Sequence, residues 1–219
     1  MKRLLLAAAL TVLASASARA QEHPRGEVSG GFSYLHAGPG ANLYGGDASA
    51  AGNLNNWFGI VAEFSGHYQS SGGTIGIPTP IPTPITMPIV VPAPLPAPVV
   101  TVSAHSNLYT FLIGPRLSYR KDKRLTPFVH MLPGLARSHT SGTVTTQLLV
   151  MPPAVTDLHF SGSSTAFAMA IGGGLDMKLT KSLAFRILQA DYLLTRFGGA
   201  TQNNVRLTTG LEYRFGFGE

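Results

Sequence analysis

The sequence VRLTTGLEYRFGFGE, residues Val205–Glu219, alternates between two kinds of side chain with a period of two. One set of positions is largely apolar: Val205, Leu207, Thr209, Leu211, Tyr213 and Phe215. The intervening set is charged, polar or small: Arg206, Thr208, Gly210, Glu212 and Arg214. Because successive strand side chains point to opposite faces, this pattern predicts one β-strand with an apolar and a charged face. The apolar face would meet a core in a soluble sandwich and lipid in a transmembrane barrel.

The N-terminus has the composition of a secretory signal peptide. Lys2 and Arg3 form a positive start, Leu4–Leu13 an apolar centre, and Ala18–Ala20 a small-residue cleavage site. The apolar centre is shorter than the ~20 residues that a membrane-spanning helix needs. We therefore expect residues 1–20 to be removed on export, which leaves residues 21–219 as one β-barrel domain.

The amino-acid composition argues against several other classes of protein. The formal charge of +6 falls to +3 once Lys2, Arg3 and Arg19 are removed with the signal, so nucleic-acid binding is disfavoured. The chain has no cysteine, and disulfides therefore contribute nothing to its stability. Since no other proline-free apolar run is long enough for a helix, only a barrel could carry this chain across a membrane.

Seven further segments have the composition of strands. They are Glu27–Leu35, Asp47–Leu54, a strand that starts at Phe58, Asn107–Arg120, Thr126–His139, Thr165–Leu179 and Leu183–Phe197. In the last of these, Arg186 has the opposite parity to Gln189 and Asp191. A β-bulge near Ile187–Leu188 would place all three on the same side of the sheet. With the C-terminal strand the count is eight, an even number as outer-membrane barrels require.

The segments between these strands are predicted to be loops. His36–Gly46, Thr140–Ser164 and Gly198–Asn204 are expected to be long or glycine-rich connections, and residues 69–106 a Pro-rich outer loop. Pro78–Pro98 carries nine prolines, which cannot donate to a β-ladder and favour polyproline II. Connections after odd-numbered strands would thus be long and those after even-numbered strands short, as in barrels with outer loops and periplasmic turns.

Strand parity predicts what fills the barrel. The expected lumen residues are Glu63, Arg116, Asp176, Lys178, Arg206, Glu212 and Arg214, with Arg186 and Asp191 as further ion-pair members. An eight-stranded barrel is just wide enough to be filled by side chains, so we expect a closed ion-pair network. The chain continues past Phe215 through Gly216 to Phe217, and either Phe217 extends the last strand by one pair or the end is frayed.

Several segments resemble a known family. The segments VSGGFSYL, WFGIVAEFSG, NLYTFLIGPRLSYR, TPFVHMLPG, FAMAIGGGLDMKL, RILQADYLLTRFGG and TQNNVRLTTGLEYRFG resemble the outer-membrane-protein β-barrel domain family, which is similar to the OmpA transmembrane domain and OmpX-type barrels. The resemblance covers about Glu27–Phe217, apart from the Pro-rich loop and much of Thr140–Ser164. It implies an all-β, eight-stranded antiparallel up-and-down barrel in the outer membrane, and a C-terminal strand that the barrel assembly machinery recognises. The family has no single shared activity, so fold does not imply function.

Histidines are the first candidates for chemistry. His36, His67, His105, His139 and His159 are predicted to lie in outer loops or at outer strand ends. Imidazoles at one rim could bind a transition metal or gain charge in acid. No pair has the spacing of metal ligands, so we expect no metal site and no cofactor.

Lipid hydrolysis was the second candidate. His130, Ser138, His139 and Ser141 are close in sequence, with Glu63 as a carboxylate across the lumen. A hydrolase needs its nucleophile and base in hydrogen-bond reach, and here no GxSxG elbow is present. We therefore expect no enzymatic activity and no catalytic residue.

The sequence thus predicts a small outer-membrane barrel of structural or surface-interaction role. Its expected partners are outer-membrane lipid and lipopolysaccharide, the assembly machinery and a surface partner at the Pro-rich loop. We expect a monomer. The alternatives are a small pore and an exported soluble β-barrel binding module with an apolar interior.

Overall fold

The computed structural model describes residues 23–38, 40–76, 99–122, 124–148 and 154–217. They form eight strands, each hydrogen-bonded to the next, and β8 closes on β1 to complete an antiparallel barrel. The strands are β1 (Pro24–Ala37), β2 (Ala41–Asn53), β3 (Phe58–Gly76), β4 (Val99–Ser118), β5 (Leu125–Leu148), β6 (Ala154–Lys178), β7 (Leu183–Phe197) and β8 (Ala200–Phe217). No helix in the described residues is long and apolar enough to cross a membrane.

The contacts divide the chain into two compact units. The first contains the described parts of Met1–His67, Leu108–Arg137 and Thr165–Glu219, and the second those of Tyr68–Asn107 and Ser138–Ser164. Strands β1, β2, β7 and β8 belong to the first unit. Strands β3 to β6 contribute residues to both units, and they are also the longest, with 19, 20, 24 and 25 residues.

The predicted strand faces are confirmed. On β8, Arg206, Thr208, Glu212 and Arg214 are buried, whereas Val205, Leu211, Tyr213 and Phe215 are exposed. On β1, β3, β4 and β6 exposed apolar side chains likewise alternate with buried inward ones, which include polar residues such as Glu63 and apolar ones such as Leu112. Exposed apolar side chains on the outer surface are what a bilayer-spanning barrel requires and the reverse of a soluble barrel with a greasy interior.

The predicted bulge is also confirmed. The register between β7 and β8 shifts between Arg186 and Gln189, and Ile187 and Leu188 both face outward. As a result Arg186, Gln189 and Asp191 are all buried on the lumen side. At the other end of β8, Phe217 pairs with Pro24, so Phe217 extends the closing strand by one pair.

The predicted loop boundaries are wrong in four places. Strand β2 starts at Ala41 inside the expected loop 36–46, and β8 starts at Ala200 inside 198–204. Strand β3 continues to Gly76 and β4 starts at Val99, so both strands extend into the predicted Pro-rich loop 69–106. Strand β5 continues to Leu148 and β6 starts at Ala154, so both strands extend well into the expected loop 140–164. Residues 77–98, with most of the proline-rich segment, lie outside the described residues, as does the predicted signal at 1–20.

The expected alternation of long and short connections fails for the same reason. Two hairpins at one end close with tight glycine turns, at Gly38 and Gly40 after β1 and at Gly198 and Gly199 after β7, all with positive φ. A two-residue turn with both central φ values positive matches the twist of the strands it joins, and glycine adopts it without strain. We call the end of the first unit with these two turns the outer end, because connections after odd-numbered strands of outer-membrane barrels face outward and those after even-numbered strands are periplasmic turns.

A short turn joins β4 to β5 at the opposite, periplasmic end. The backbone N–H groups of Arg124 and Leu125 donate to Asp122 Oδ1 at 2.7 and 3.2 Å. These hydrogen bonds stabilise the carboxylate and lower the pKa of Asp122, and the bond from Arg124 contributes most. The turn is therefore fixed by a local side-chain-to-backbone motif of the kind that Asp favours.

Candidate functional site

The lumen of the first unit contains a network of buried charged side chains. Five guanidinium groups face six carboxylates, so their formal charges nearly cancel. The members are Arg116, Arg120, Arg186, Arg206 and Arg214 with Glu27, Asp47, Glu63, Asp176, Asp191 and Glu212. We refer to these eleven residues as the ion-pair network. Unpaired charges are costly to bury, which explains why each member has a partner of opposite sign.

One half of the ion-pair network is centred on Asp176 and Glu212. Arg116 Nη2 lies 2.9 Å from Asp176 Oδ2, and Arg186 Nε lies 2.9 Å from Asp176 Oδ1. Arg186 Nη2 also reaches Glu212 at 2.8 Å, and Arg214 Nε donates to the other oxygen of Glu212 at 2.7 Å. The Arg116 and Arg186 guanidinium carbons lie 4.1 and 4.8 Å from the ring centroid of Phe128, which adds two cation–π contacts.

The other half is centred on Arg206, which is completely buried. Arg206 Nη2 lies 2.6 Å from Asp191 Oδ2 and also contacts Glu63, and Arg206 Nη1 lies 3.9 Å from Asp47. On its other oxygen Asp191 is bonded to His130 Nε2 at 2.7 Å. Glycine makes room for this cluster, because a Cβ on Gly172 would collide with the Asp191 carboxylate and the Ala190 carbonyl.

Gln189 connects the two halves. Its amide nitrogen donates to Glu63 at 3.0 Å and to Asp191 at 2.8 Å, and its carbonyl accepts from Arg186 Nη1 at 2.9 Å. This connection depends on the bulge in β7, since without it Arg186 and Gln189 would lie on opposite faces. The ion-pair network is therefore continuous across the lumen.

An apolar cluster adjoins the ion-pair network, and most of its members lie nearer the outer end. On β5, Leu132 is the next inward residue after His130, and on β7, Leu193 is the next after Asp191. Both leucines are completely buried, as are Leu35 and Leu112. The contiguous cluster, called here the aliphatic layer, contains Leu35, Leu43, Ala51, Val61, Leu108, Leu112, Leu132, Ala136, Ala168, Ala170 and Leu193. Ala51 and Val61 lie nearer the periplasmic end than the other members, because Ala51 pairs with Glu27 and Val61 precedes Glu63 on β3.

Most of the predicted lumen charges lie where strand parity places them. Glu63, Arg116, Asp176, Arg186, Asp191, Arg206, Glu212 and Arg214 are all buried. Lys178 is the exception, because it is the last residue of β6 and is exposed to solvent. Glu27, Asp47 and Arg120 are network members that the prediction lacks, although parity alone places Glu27 and Arg120 inward. Gln189 is buried beside Arg186 and Asp191, as the predicted bulge requires.

The structure separates the predicted rim histidines. His67 is not at the rim: it is completely buried in the lumen, with Nε2 2.8 Å from Ser33 Oγ. His36 is exposed near the end of β1, where Nδ1 lies 2.8 Å from Asn42 Oδ1. His105 and His159 line the same cleft of the second unit, of about 390 Å³, and His159 Nδ1 lies 2.9 Å from Thr143 Oγ1. His139 is exposed on β5.

One group in the described residues has the composition of a metal site. Glu63, His130 and Asp191 offer ligand atoms that all lie within 4.8 Å of one another. All three side chains are buried, and Arg206 contacts both carboxylates. Since a guanidinium already supplies the positive charge that these carboxylates need, the group is explained as part of the ion-pair network.

Aromatic side chains mark two levels on the outer surface of the first unit. Tyr109 stacks on Phe64 with ring centroids 6.4 Å apart, and at the periplasmic end Tyr213 stacks on Phe215 at 6.3 Å. Tyr119, near the periplasmic end of β4, is also exposed. The ten residue intervals from Tyr109 to Tyr119, at ~3.3 Å each on a strand tilted by ~40°, cover roughly 25 Å of height. That height is the apolar band expected of an outer-membrane barrel between its aromatic girdles.

Comparison with known proteins agrees with this architecture. The structure of Ail, the attachment invasion locus protein of Yersinia pestis, aligns with a TM-score of 0.52 at 15% identity, covering 88% of this chain and 99% of that chain. OprG from Pseudomonas aeruginosa aligns with a TM-score of 0.47 at 8% identity, covering 89% and 97%. At 15% identity the likeness to Ail shows a shared fold alone. No curated protein sequence matches the chain.

The family is shown directly by the sequence. The model of the family described as "Outer membrane protein beta-barrel domain" matches residues 5–215, which is nearly the whole chain. The apolar outer surface, the two aromatic levels and the charged lumen all agree with that match. The chain therefore belongs to the outer membrane protein β-barrel domain family and is an eight-stranded barrel of the outer membrane.

Proposed function

We propose that this protein is a non-conducting barrel of structural and surface-interaction role, with a lumen closed by the ion-pair network and the aliphatic layer. The observation that carries the proposal is the continuity of the network. Gln189 connects its two halves, and the aliphatic layer follows at the next inward positions of β5 and β7. Ions would have to pass a salt-bridged layer and then an apolar one, and an apolar constriction excludes water.

A small pore is the alternative that a bilayer recording separates from this proposal. We expect the refolded protein, without its signal, to add no defined conductance to a planar bilayer, because no hydrated path would cross the aliphatic layer. The matched control is the same preparation after heat denaturation, which measures the background from contaminants. Discrete, reproducible steps that appear only with folded protein and scale with salt concentration would contradict the closed lumen.

We also propose that the protein has no enzymatic activity. Of the residues considered for lipid hydrolysis, His130 is bonded to Asp191 inside the lumen and Glu63 contacts Arg206 there. A lipid-hydrolysing base would have to face the bilayer. The buried position of His130 therefore favours a role in holding the barrel together.

The second unit is the part best suited to a surface-interaction role. Its described residues carry hydroxyls and three histidines, and Asp157 is the one Asp, Glu, Lys or Arg among them. Recognition there would depend on hydroxyl, imidazole and apolar contacts, since Val155 and Leu158 are 59% and 66% exposed. A partner would thus meet a nearly uncharged surface.

Deletion of Ile77–Val99 tests whether the Pro-rich segment takes part in that recognition. We expect the variant to fold, as judged by heat-modifiable gel mobility, and cells that express it to lose adhesion to protein-coated surfaces. Polyproline segments bind aromatic grooves with little loss of entropy, which is the physical reason for the expectation. The matched control replaces the segment with a glycine–serine linker of equal length. Unchanged adhesion by a normally folded deletion variant would exclude the segment as the binding element.

Assembly and lipid contacts complete the proposal. The C-terminal strand β8 ends in the aromatic residues Tyr213, Phe215 and Phe217 and forms the seam with β1, so it is the segment that the barrel assembly machinery would recognise. Outer-membrane lipid would surround the apolar band. We propose a monomer, because the ring of strands closes on itself and its described registers leave no barrel edge open in the first unit.

A further inference from the structure

Two arginines near the outer end of the first unit have exposed side chains without a partner. They are Arg137 on β5 and Arg196 on β7, and neither guanidinium forms an ion pair or hydrogen bond with a described residue. Every described carboxylate on the strands of this unit lies in the lumen. Among the described strand residues of the first unit, no acidic side chain is therefore available on the outward face to neutralise these two guanidinium groups.

The strand registers bring the two arginines to opposite sides of β6. Arg196 pairs with Phe167 on β6. On the other side of β6, Gly173 lies against Val129 on β5. Counted from this contact, eight residues farther along each antiparallel strand, Arg137 comes opposite Thr165.

Arg137 and Arg196 thus lie on the two strands that flank β6, and their partner positions on β6, Thr165 and Phe167, are two residues apart. With ~4.8 Å between strands and ~3.3 Å per residue, the Cα atoms of Arg137 and Arg196 lie about 12 Å apart. Both side chains leave the same face of the sheet. Two extended guanidinium groups on this spacing can bind two anionic groups of one molecule, each as a fork of parallel hydrogen bonds.

The level of the pair on the barrel is that of the outer edge of the apolar band. On β6 the outward residues change from Phe167, which is 48% exposed and apolar, to Thr165, and on β8 Thr201 lies opposite Arg196. An arginine that faces lipid costs ~2–4 kcal/mol at the middle of a bilayer and ~0–1 near its surface. The pair therefore lies where a guanidinium is tolerated and where the headgroups of the outer leaflet begin.

We propose that Arg137 and Arg196 form a binding site for the phosphorylated sugar headgroup of lipopolysaccharide in the outer leaflet. A glycolipid with more than one phosphate supplies two anions on a rigid sugar frame, as the spacing of the arginines requires. Arginine binds phosphate in a bidentate manner and is weakly hydrated, which suits this position better than lysine. The site concerns the lipid-facing surface and is independent of the proposed closed lumen.

Binding of purified lipids to the folded full-length protein tests the site. The probe is diphosphoryl lipid A, measured by native mass spectrometry against the variant Arg137→Gln/Arg196→Gln. The matched control is Lys121→Gln/Arg124→Gln, which removes the same charge from exposed residues at the periplasmic end. We expect the Arg137/Arg196 variant to bind about tenfold more weakly, a loss of ~1.4 kcal/mol, and the control variant to bind as the wild type does.

Three further ligands decide the source of the anion. Lipid A without its phosphates should bind the wild type as weakly as lipid A binds the Arg137/Arg196 variant. Equal binding of phosphatidylglycerol, or displacement of lipid A by millimolar inorganic phosphate, would overturn the assignment to a multiply phosphorylated glycolipid. Wild-type affinity in the Arg137/Arg196 variant would overturn the site itself. Heat-modifiable gel mobility checks that each variant folds. If the glutamine variant does not fold, Arg137→Lys/Arg196→Lys replaces it, and we expect weaker binding because lysine cannot form the fork of parallel hydrogen bonds. Unchanged binding by the lysine variant would overturn the site.

Discussion

Replacing Arg206 by alanine should destabilise the barrel by about 3–5 kcal/mol, the largest effect of any single substitution considered. Arg206 is completely buried and contacts Asp191, Glu63 and Asp47. Its loss leaves three carboxylates in the lumen without their common counter-ion, and that uncompensated charge is the source of the cost. Urea unfolding in detergent micelles, followed by fluorescence of Trp57, the chain's one tryptophan, measures the change.

A variant with neutral side chains at three network positions separates electrostatics from packing in this prediction. Arg206→Met combined with Glu63→Gln and Asp191→Asn removes the guanidinium and two of its carboxylates together. We expect it to be more stable than Arg206→Ala, because a buried ion pair replaced as a whole costs far less than one that is broken. Arg25→Ala, at an exposed arginine of β1, is the control and should change stability by no more than ~0.5 kcal/mol. Equal stabilities for Arg206→Ala and Arg25→Ala would show that the network does not hold the barrel together.

Leu112→Ala should destabilise the barrel by about 2–5 kcal/mol, the usual cost of truncating a completely buried leucine. Leu112 is 0% exposed and contributes to the aliphatic layer. Its neighbours come from a closed ring of strands that cannot collapse inward, so the space left by the side chain remains as a cavity. The free energy of unfolding in urea again measures the change.

Ile113→Ala is the matched control for Leu112→Ala. Ile113 is the next residue on β4, points to the opposite face and is 49% exposed. In a micelle, detergent fills the space that the truncated side chain leaves, so no cavity forms and the loss should be clearly smaller. A larger loss for Ile113→Ala than for Leu112→Ala would mean that the aliphatic layer is not a packed core.

Much of the first unit could be predicted from sequence because its strands separate two very different solvents. Lipid outside and a charged lumen inside impose opposite demands on alternate residues, so residues such as Glu212 and Tyr213 reveal their faces by chemistry alone. The bulge at Ile187–Leu188 was predictable for the same reason, since three polar residues of mixed parity needed one side. The lumen position of His67 followed from parity as well, and placing it at the rim was wrong because β3 continues to Gly76.

The second unit could not be predicted, because its strands lack that contrast. Ser103, Thr143 and Ser161 belong to strands whose exposed faces are polar, so the period of two that signals a strand is weak there. Serine, threonine and glycine are also common in loops, and the composition of Thr140–Ser164 therefore predicts a loop. Main-chain pairing between neighbouring strands, which sequence does not show, extends β5 to Leu148 and starts β6 at Ala154.

The number of strands and the two faces of their segments in the first unit follow from the amino-acid sequence, because lipid and lumen select side chains with a period of two. Which partners meet across the barrel depends on how the strands pair in three dimensions. Arg206 and Asp47 are far apart in the chain, and the closing of β8 on β1 brings them to the same lumen. The unpartnered pair Arg137 and Arg196 was decided in the same way, because strand register sets lateral distance and no pattern along one strand contains it.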